Sequence, residues 1–212
     1  MDKKIKILIA DDHLLVIEGL KRIIDECEDM EVIGHALDGK EAVDLALKLH
    51  PDILILDITM PGYDGLEVIN ILKQTAPQIY VLVLTMHEEE QYIFRTIEAG
   101  AMGYLTKKSV ADELVSAIRR IYSGKRYLPE DVAEIIALKI SRGEGSSPLD
   151  ILSTRELQVL KRIAQGQTNK EIAKAYNLSV KTIDTYRQRI LKKLRLRNNA
   201  DISRFAIQHK LI

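Results

Sequence analysis

The sequence predicts an α/β domain built on a parallel sheet, followed by a small all-helical domain. Three observations carry this expectation. First, short and nearly continuous apolar runs alternate with helical patterns, the signature of strands buried on both faces. The runs are Ile5-Lys6-Ile7-Leu8-Ile9-Ala10, Ile53-Leu54-Ile55-Leu56, Tyr80-Val81-Leu82-Val83-Leu84 and Gly103-Tyr104-Leu105-Thr106. Second, each run stops at a chemically distinctive residue: Asp11-Asp12, Asp57, Thr85 and Lys107. Third, the formal charge of zero over 212 residues hides an asymmetry. Residues 1–148 hold 17 Lys and Arg against 26 Asp and Glu, a net of −9, and residues 149–212 hold 14 against 5, a net of +9. Such a split points to two domains with different partners.

The first strand leads into an amphipathic helix over 14–26, with Val16, Ile17, Leu20, Ile23 and Ile24 inward. A second strand over 31–36 is followed by a helix over 40–49, which Pro51 ends before the third strand. After Asp57 comes the turn-rich loop Met60-Pro61-Gly62-Tyr63-Asp64-Gly65, then a helix over 66–75 closed by Pro77. The fourth strand is followed by a helix over 89–99 that stops at Gly100, a residue suited to the position after a helix end. The fifth strand precedes a helix over 110–122. Five strand–helix alternations argue for a doubly wound fold.

Composition changes after residue 122. Residues 129–140 carry apolar side chains at 132, 135, 136 and 140 and predict one more amphipathic helix. The stretch 141–148 is rich in Gly, Ser and Pro and reads as a flexible linker. The division expected is 1–122, a linker over 123–148, and 149–212. In the last part Ser153-Thr154-Arg155-Glu156 and Thr168-Asn169-Lys170-Glu171 are capping boxes, in which hydroxyl and carboxylate satisfy orphan amides reciprocally. They open helices reaching Gln165 and Tyr176. Asn177 suits the left-handed conformation, Ser179 caps a helix over 180–194, and a fourth helix covers 200–208. Two helices joined by Tyr176-Asn177-Leu178-Ser179 make a helix-turn-helix.

In an open parallel sheet, sites form outside the carboxyl ends of the strands. Three carboxylates, a hydroxyl and an ammonium are therefore expected on one edge. Clustered carboxylates repel unless something positive joins them. Lys107 supplies one charge and a divalent metal the rest. Mg²⁺ suits one or two carboxylates plus phosphate oxygens, and a carboxylate can attack a phosphoryl group to form an aspartyl phosphate. Singly, each residue has a bland reading: an Asp after a strand is a turn or cap, Thr85 a strand end, Lys107 solvated surface. Their joint placement on four strand ends outweighs those readings.

On the third helix of the basic segment, Lys181, Asp184, Thr185, Gln188 and Lys192 share one face by the 3.6-residue period, with Ile183, Ile190 and Leu194 on another as core. A recognition helix needs that division. Thr185 and Gln188 can read base edges. Lys181, Arg187, Arg189, Lys192 and Lys193 suit phosphate contacts, as do Asn169 and Lys170 at the start of the preceding helix.

Residues 1–122 resemble the receiver domain of two-component response regulators. Asp11-Asp12, Asp57, Met60-Pro61, Asp64-Gly65, Thr85 and the run from Gly100 to Lys107 carry the match, with intervals of 28 residues from Asp57 to Thr85 and 22 from Thr85 to Lys107. The resemblance implies a flavodoxin-like five-stranded sheet of order 2-1-3-4-5. It implies Asp57 as phosphoacceptor, a Mg²⁺ pocket of Asp11, Asp12, Asp57 and the Thr59 carbonyl, and Thr85, Tyr104 and Lys107 as the groups that bind and sense the phosphoryl. Residues 149–212 resemble the LuxR-type DNA-binding domain through Leu152–Glu156, Thr168–Ala173, Ser179–Ile183 and Lys192-Lys193-Leu194, which adds Thr182 to the DNA-facing residues. Together the two look like a response regulator of the NarL/FixJ type. This implies a sensor histidine kinase and double-stranded DNA as partners, and a homodimer that forms on phosphorylation. Four residues depart from the common pattern: Met86 replaces a small residue, Lys108 a proline, Asp184 a lysine and Tyr186 a histidine.

Other classes fit less well. The single cysteine, Cys27, excludes a disulfide framework and a cysteine-rich metal site. No apolar run approaches the ~20 residues of a membrane span, so a soluble, cytoplasmic protein without a membrane segment is expected. A phosphatase of the haloacid-dehalogenase kind also uses an Asp after a strand, but wants a second Asp where Thr59 stands. The chain is therefore expected not to be an enzyme, beyond slow self-dephosphorylation. A module that binds partners without phosphorylation is disfavoured because every pocket group is present.

Overall fold

Five parallel strands run through the first half in the order β2-β1-β3-β4-β5. They are β1 (Ile5–Ala10), β2 (Met30–Ala36), β3 (Ile53–Leu56), β4 (Tyr80–Thr85) and β5 (Gly103–Thr106). The computed structural model describes residues 4–86, 90–141, 148–176, 178–209 and 211–212. The conformation expected for Asn177, most of the Gly/Ser linker and the expected helix start at Glu89 lie outside the described residues. Helices α1 (Leu14–Asp25), α2 (Gly39–Leu49), α3 (Gly65–Thr75), α4 (Glu90–Ala99) and α5 (Val110–Tyr122) alternate with the strands. This is the flavodoxin-like arrangement, and its order places β1 and β3 at the point where the winding reverses.

The apolar runs read as strands because both faces of the sheet are covered. All four residues of β3 are buried. Ile7, Ile9, Ile53, Ile55, Leu82 and Leu84 meet Ile17, Leu20 and Ile24 of α1 and Leu114 and Ile118 of α5 in one cluster. Val16 and Ile23, expected inward, are half-buried at its rim. Each fully buried Ile or Leu contributes about 1.5–3 kcal/mol against leaving it in water.

The first compact unit extends to Glu144. Helix α6 (Glu130–Ser141) belongs to it, because α6 packs against α4. The first part of the segment expected as linker is thus docked structure.

The second unit, Gly145–Ile212, is helical. A 3₁₀ turn at Pro148–Ile151, not foreseen in the sequence, precedes α7 (Thr154–Ala164), α8 (Asn169–Ala175), α9 (Val180–Leu194) and α10 (Asn199–Gln208). Both capping boxes form: Ser153 with Glu156, and Thr168 with Glu171. On α9, Ile183 and Ile190 are buried as expected, but Leu191 takes the core position expected of Leu194, which is half-buried. Leu194 is the last helical residue before Arg195 turns left-handed.

Candidate functional site

Backbone pairing continues one residue past the strand ends, and that brings the chemistry together. Asp57 N–H donates to the Ala10 carbonyl at 2.9 Å, and Lys107 N–H to the Thr85 carbonyl at 2.9 Å. Asp11 N–H donates to the Ala36 carbonyl at 3.1 Å. Asp11, Asp57 and Lys107 are thereby fixed at one edge of the sheet. Lys107 Nζ stands 2.6 Å from Asp11 Oδ2 and 2.8 Å from Asp57 Oδ2. Thr59 N–H donates to Asp57 Oδ1 at 3.3 Å. Asp11 and Asp57 are buried, and Asp12 is exposed at the rim.

The loop after β3 is shaped by Asp64 and Gly65. Asp64 caps α3 in a reciprocal box with Glu67. Gly65 lies so close to β3 that an added Cβ would stand 2.7 Å from Ile58 Cα and 3.0 Å from the Asp57 carbonyl oxygen. The glycine lets α3 start directly beneath the site.

Burial pushes the Asp57 carboxyl above its ordinary range, and the charge of Asp11 adds to this; the Lys107 ammonium and the Thr59 amide act against it. Burial alone would lower Lys107, but Asp57 and Asp11 outweigh it and hold the ammonium above its usual value. One ammonium thus faces a cluster with more negative charge than it can offset. Asp11, Asp12, His13 and Asp57 each offer a ligand atom, all within 4.8 Å of one another. Hard oxygen donors with uncompensated charge fit a hard divalent cation.

His13 was not singled out from the sequence. Its Nδ1 lies 2.8 Å from Asp12 Oδ1 and 3.3 Å from Asp11 Oδ1, and its N–H donates to Asp11 Oδ1 at 2.9 Å. Its place directly after the paired aspartates was the available signal. Thr85 and Tyr104 are both fully buried. Met86 follows Thr85 and is 63% exposed.

In the second unit, Lys181, Asp184, Thr185, Gln188, Arg189 and Lys192 are exposed on α9, opposite Ile183, Ile190 and Leu191. The Thr185 hydroxyl donates to the Lys181 carbonyl at 2.9 Å, which leaves its oxygen able to accept. Thr182 is half-buried and its N–H is held by the Ser179 hydroxyl at 3.0 Å. At the start of α8, Lys170 is exposed and Asn169 half-buried. Two residues expected on phosphate are used inside the domain. Arg187 Nε donates to Asn199 Oδ1 at 2.6 Å, tying α9 to α10. Lys193 Nζ donates to the buried Glu156 Oε2 at 2.6 Å, tying α9 to α7. Among the described residues, no helix is long and apolar enough to cross a membrane.

Comparison with known proteins agrees with both halves. Residues 7–119 match the response regulator receiver domain, and residues 150–206 match the luxR family of bacterial regulatory proteins. The chain is 38% identical over 209 residues to response regulator GacA of Pseudomonas aeruginosa, covering 98% of each. It is 38% identical over 208 residues to response regulator UvrY of Escherichia coli, covering 98% of this chain and 95% of that one. Among solved structures, RcsB of Salmonella enterica serovar Typhimurium, bound to a promoter in the presence of the phosphomimetic BeF3⁻, superposes with a TM-score of 0.63. It is 29% identical, over 96% of this chain and 98% of that one. A receiver with a complete acidic edge, joined to a LuxR-type helix-turn-helix, places the chain among the response regulators of the NarL/FixJ type, DNA-binding transcriptional regulators switched by phosphorylation.

Proposed function

We propose that Asp57 is the phosphoacceptor and that a sensor histidine kinase supplies the phosphoryl group. The observation that carries this is one buried carboxylate at the end of β3, shared between the Lys107 ammonium at 2.8 Å and the Thr59 amide at 3.3 Å, beside Asp11 and Asp12. An Asp57 oxygen bonds to phosphorus as the P–N bond of a phosphohistidine breaks, and the electron pair leaves on the imidazole nitrogen. Lys107 then pairs with a phosphoryl oxygen as a point charge, and the Thr85 hydroxyl donates to another. Asp11, Asp12, Asp57 and the Thr59 carbonyl would hold Mg²⁺, which when bound neutralises charge on the phosphoryl oxygens. Slow attack of water on the phosphorus returns the resting state, and Met86, exposed directly after Thr85, crowds the entry of both donor and water. Incubation with acetyl phosphate and Mg²⁺ tests the reading. Intact mass should rise by one phosphoryl group in the parent protein and not in Asp57→Asn, whose amide is a poor nucleophile.

The acceptor state controls DNA binding in the cytoplasm. Thr185 and Gln188 read base edges of double-stranded DNA, Asp184 accepts from cytosine, and Lys170, Lys181, Arg189 and Lys192 meet phosphates. Asn169 and Thr182 support the two helix starts. A single small helix-turn-helix offers few base contacts, so two half-sites read by a homodimer are needed. RcsB has been solved as dimers bound to DNA, and a phosphorylation-dependent dimer is the corresponding reading for this chain.

A further inference from the structure

The chain does not leave the receiver after α5. Gly124, with φ of +81°, turns it back, and Tyr127 comes to lie along the outer edge of β5. Tyr127 N–H donates to the Met102 carbonyl at 2.9 Å, and Tyr104 N–H donates to the Tyr127 carbonyl at 3.2 Å. The result is a one-residue parallel extension of the sheet opposite Gly103. The Tyr127 hydroxyl donates to Glu113 Oε2 of α5 at 2.7 Å, and Arg120 Nε donates to the Arg126 carbonyl at 2.9 Å. Gly103 permits the approach, because a Cβ there would stand 3.1 Å from the Tyr127 oxygen and 2.7 Å from Ile121 Cδ1. Shortly afterwards α6 begins and packs against α4. One continuous segment therefore grips two different supports. Residues 125–128 form a strap on β5 and α5, while α6 rests on α4. The first support contains Tyr104, and the second follows Thr85 in the chain.

We infer that Tyr127 is a positioning residue that couples the acidic pocket to the docking of α6. The inference rests on the phosphoacceptor reading above. A phosphoryl group at Asp57 draws the Thr85 hydroxyl toward its oxygens, and the start of α4 moves with it. The strap stays with β5 and α5, to which the four hydrogen bonds of Arg126 and Tyr127 fix it. Helix α6 cannot follow both supports, so filling the pocket lifts α6 from α4. Coupling is reciprocal: a docked α6 opposes filling of the pocket by the same factor.

The test uses the full chain with beryllofluoride and Mg²⁺ as the probe. Amide hydrogen exchange reports docking. In the parent protein, exchange across α6 should rise about 5-fold or more when the probe binds, a factor at the lower end of known couplings, while the Tyr104 and Tyr127 amides stay protected. Tyr127→Pro has no N–H for Met102 and loses the strap. Its α6 should no longer respond to the probe, and the probe should bind more tightly by a similar factor, since filling the pocket no longer strains α6. Tyr127→Phe keeps the backbone bonds and loses only the hydroxyl, and should show a reduced response and a smaller gain in affinity. An α6 that ignores bound probe in the parent protein overturns the coupling. So does a response of full size in both variants. If the probe does not bind the parent protein at all, the phosphoacceptor reading fails and the coupling falls with it.

Discussion

Asp57 is one carboxylate under opposing pulls. Burial and Asp11 favour its neutral form, while Lys107 and the Thr59 amide favour the charged form that attacks phosphorus. Lys107→Ala should slow acetyl phosphate labelling about 100-fold, a typical loss for one preorganised charge donor at a transition state. The same variant should bind Mg²⁺ at least as tightly as the parent in a calorimetric titration, because a competing cation has been removed from Asp11 and Asp57. A clear loss of Mg²⁺ affinity would place Lys107 in a different role. On α9, Gln188→Ala should change the motif selected from random DNA. Lys192→Ala should weaken all sequences alike and lower the salt slope by roughly one. Lys193→Ala should behave differently from its neighbour and cost roughly 1 kcal/mol of stability in a denaturant titration, since it leaves the buried Glu156 without its ammonium but is itself partly exposed. The acidic edge was readable in the sequence because strand ends in a parallel sheet are obliged to meet. Arg187 and Lys193 were not, because a helical wheel assigns a face but cannot name the residue of another helix, Asn199 or Glu156, that claims a charge.

At the scale of elements, helix starts were the most legible feature, since a capping box is local chemistry. The Thr168 box also carries a pH dependence. The Glu171 carboxylate accepts from the Thr168 amide at 2.7 Å and from its hydroxyl at 2.8 Å, and these bonds hold its pKa below the ordinary range. A lowered folded pKa means that the contribution is complete above the ordinary carboxylate value and is lost as pH falls through the depressed one. Urea midpoints between neutral and acidic pH should show this dependence in the parent protein, and Glu171→Gln should reduce it. Identical pH profiles would show that the box adds nothing. At the start of α3, Gly65→Ala should destabilise the receiver by about 1–3 kcal/mol, because its Cβ meets the backbone of Ile58 rather than a flexible side chain. The strap at Tyr127 left no trace in the sequence, since a single paired residue has no periodicity. The exchange of Leu191 for Leu194 was missed because a buried stripe drifts where a helix ends.

The whole molecule joins a domain of −9 to one of +9, and that asymmetry sets its behaviour in solution. Affinity for DNA should fall steeply with salt, as counterions are released from each contacted phosphate. Light scattering should find mainly monomer in the resting protein and dimer with beryllofluoride and Mg²⁺. Equal masses in the two states would remove the oligomer switch while leaving DNA recognition intact. The bridge from Lys107 to Asp11 and Asp57 has a final consequence at this scale. It is an internal counter-ion, so the fold does not depend on the cation supply of its surroundings. The protein should stay folded in excess chelator and lose only the increment that a cation bound to the native state would add. Lys107→Ala should lose more: uncompensated buried carboxylates cost about 3–5 kcal/mol, or a fall on the order of 10 °C, and added Mg²⁺ should restore much of it. A receiver that lost its cation would then remain folded and ready to take the cation up again.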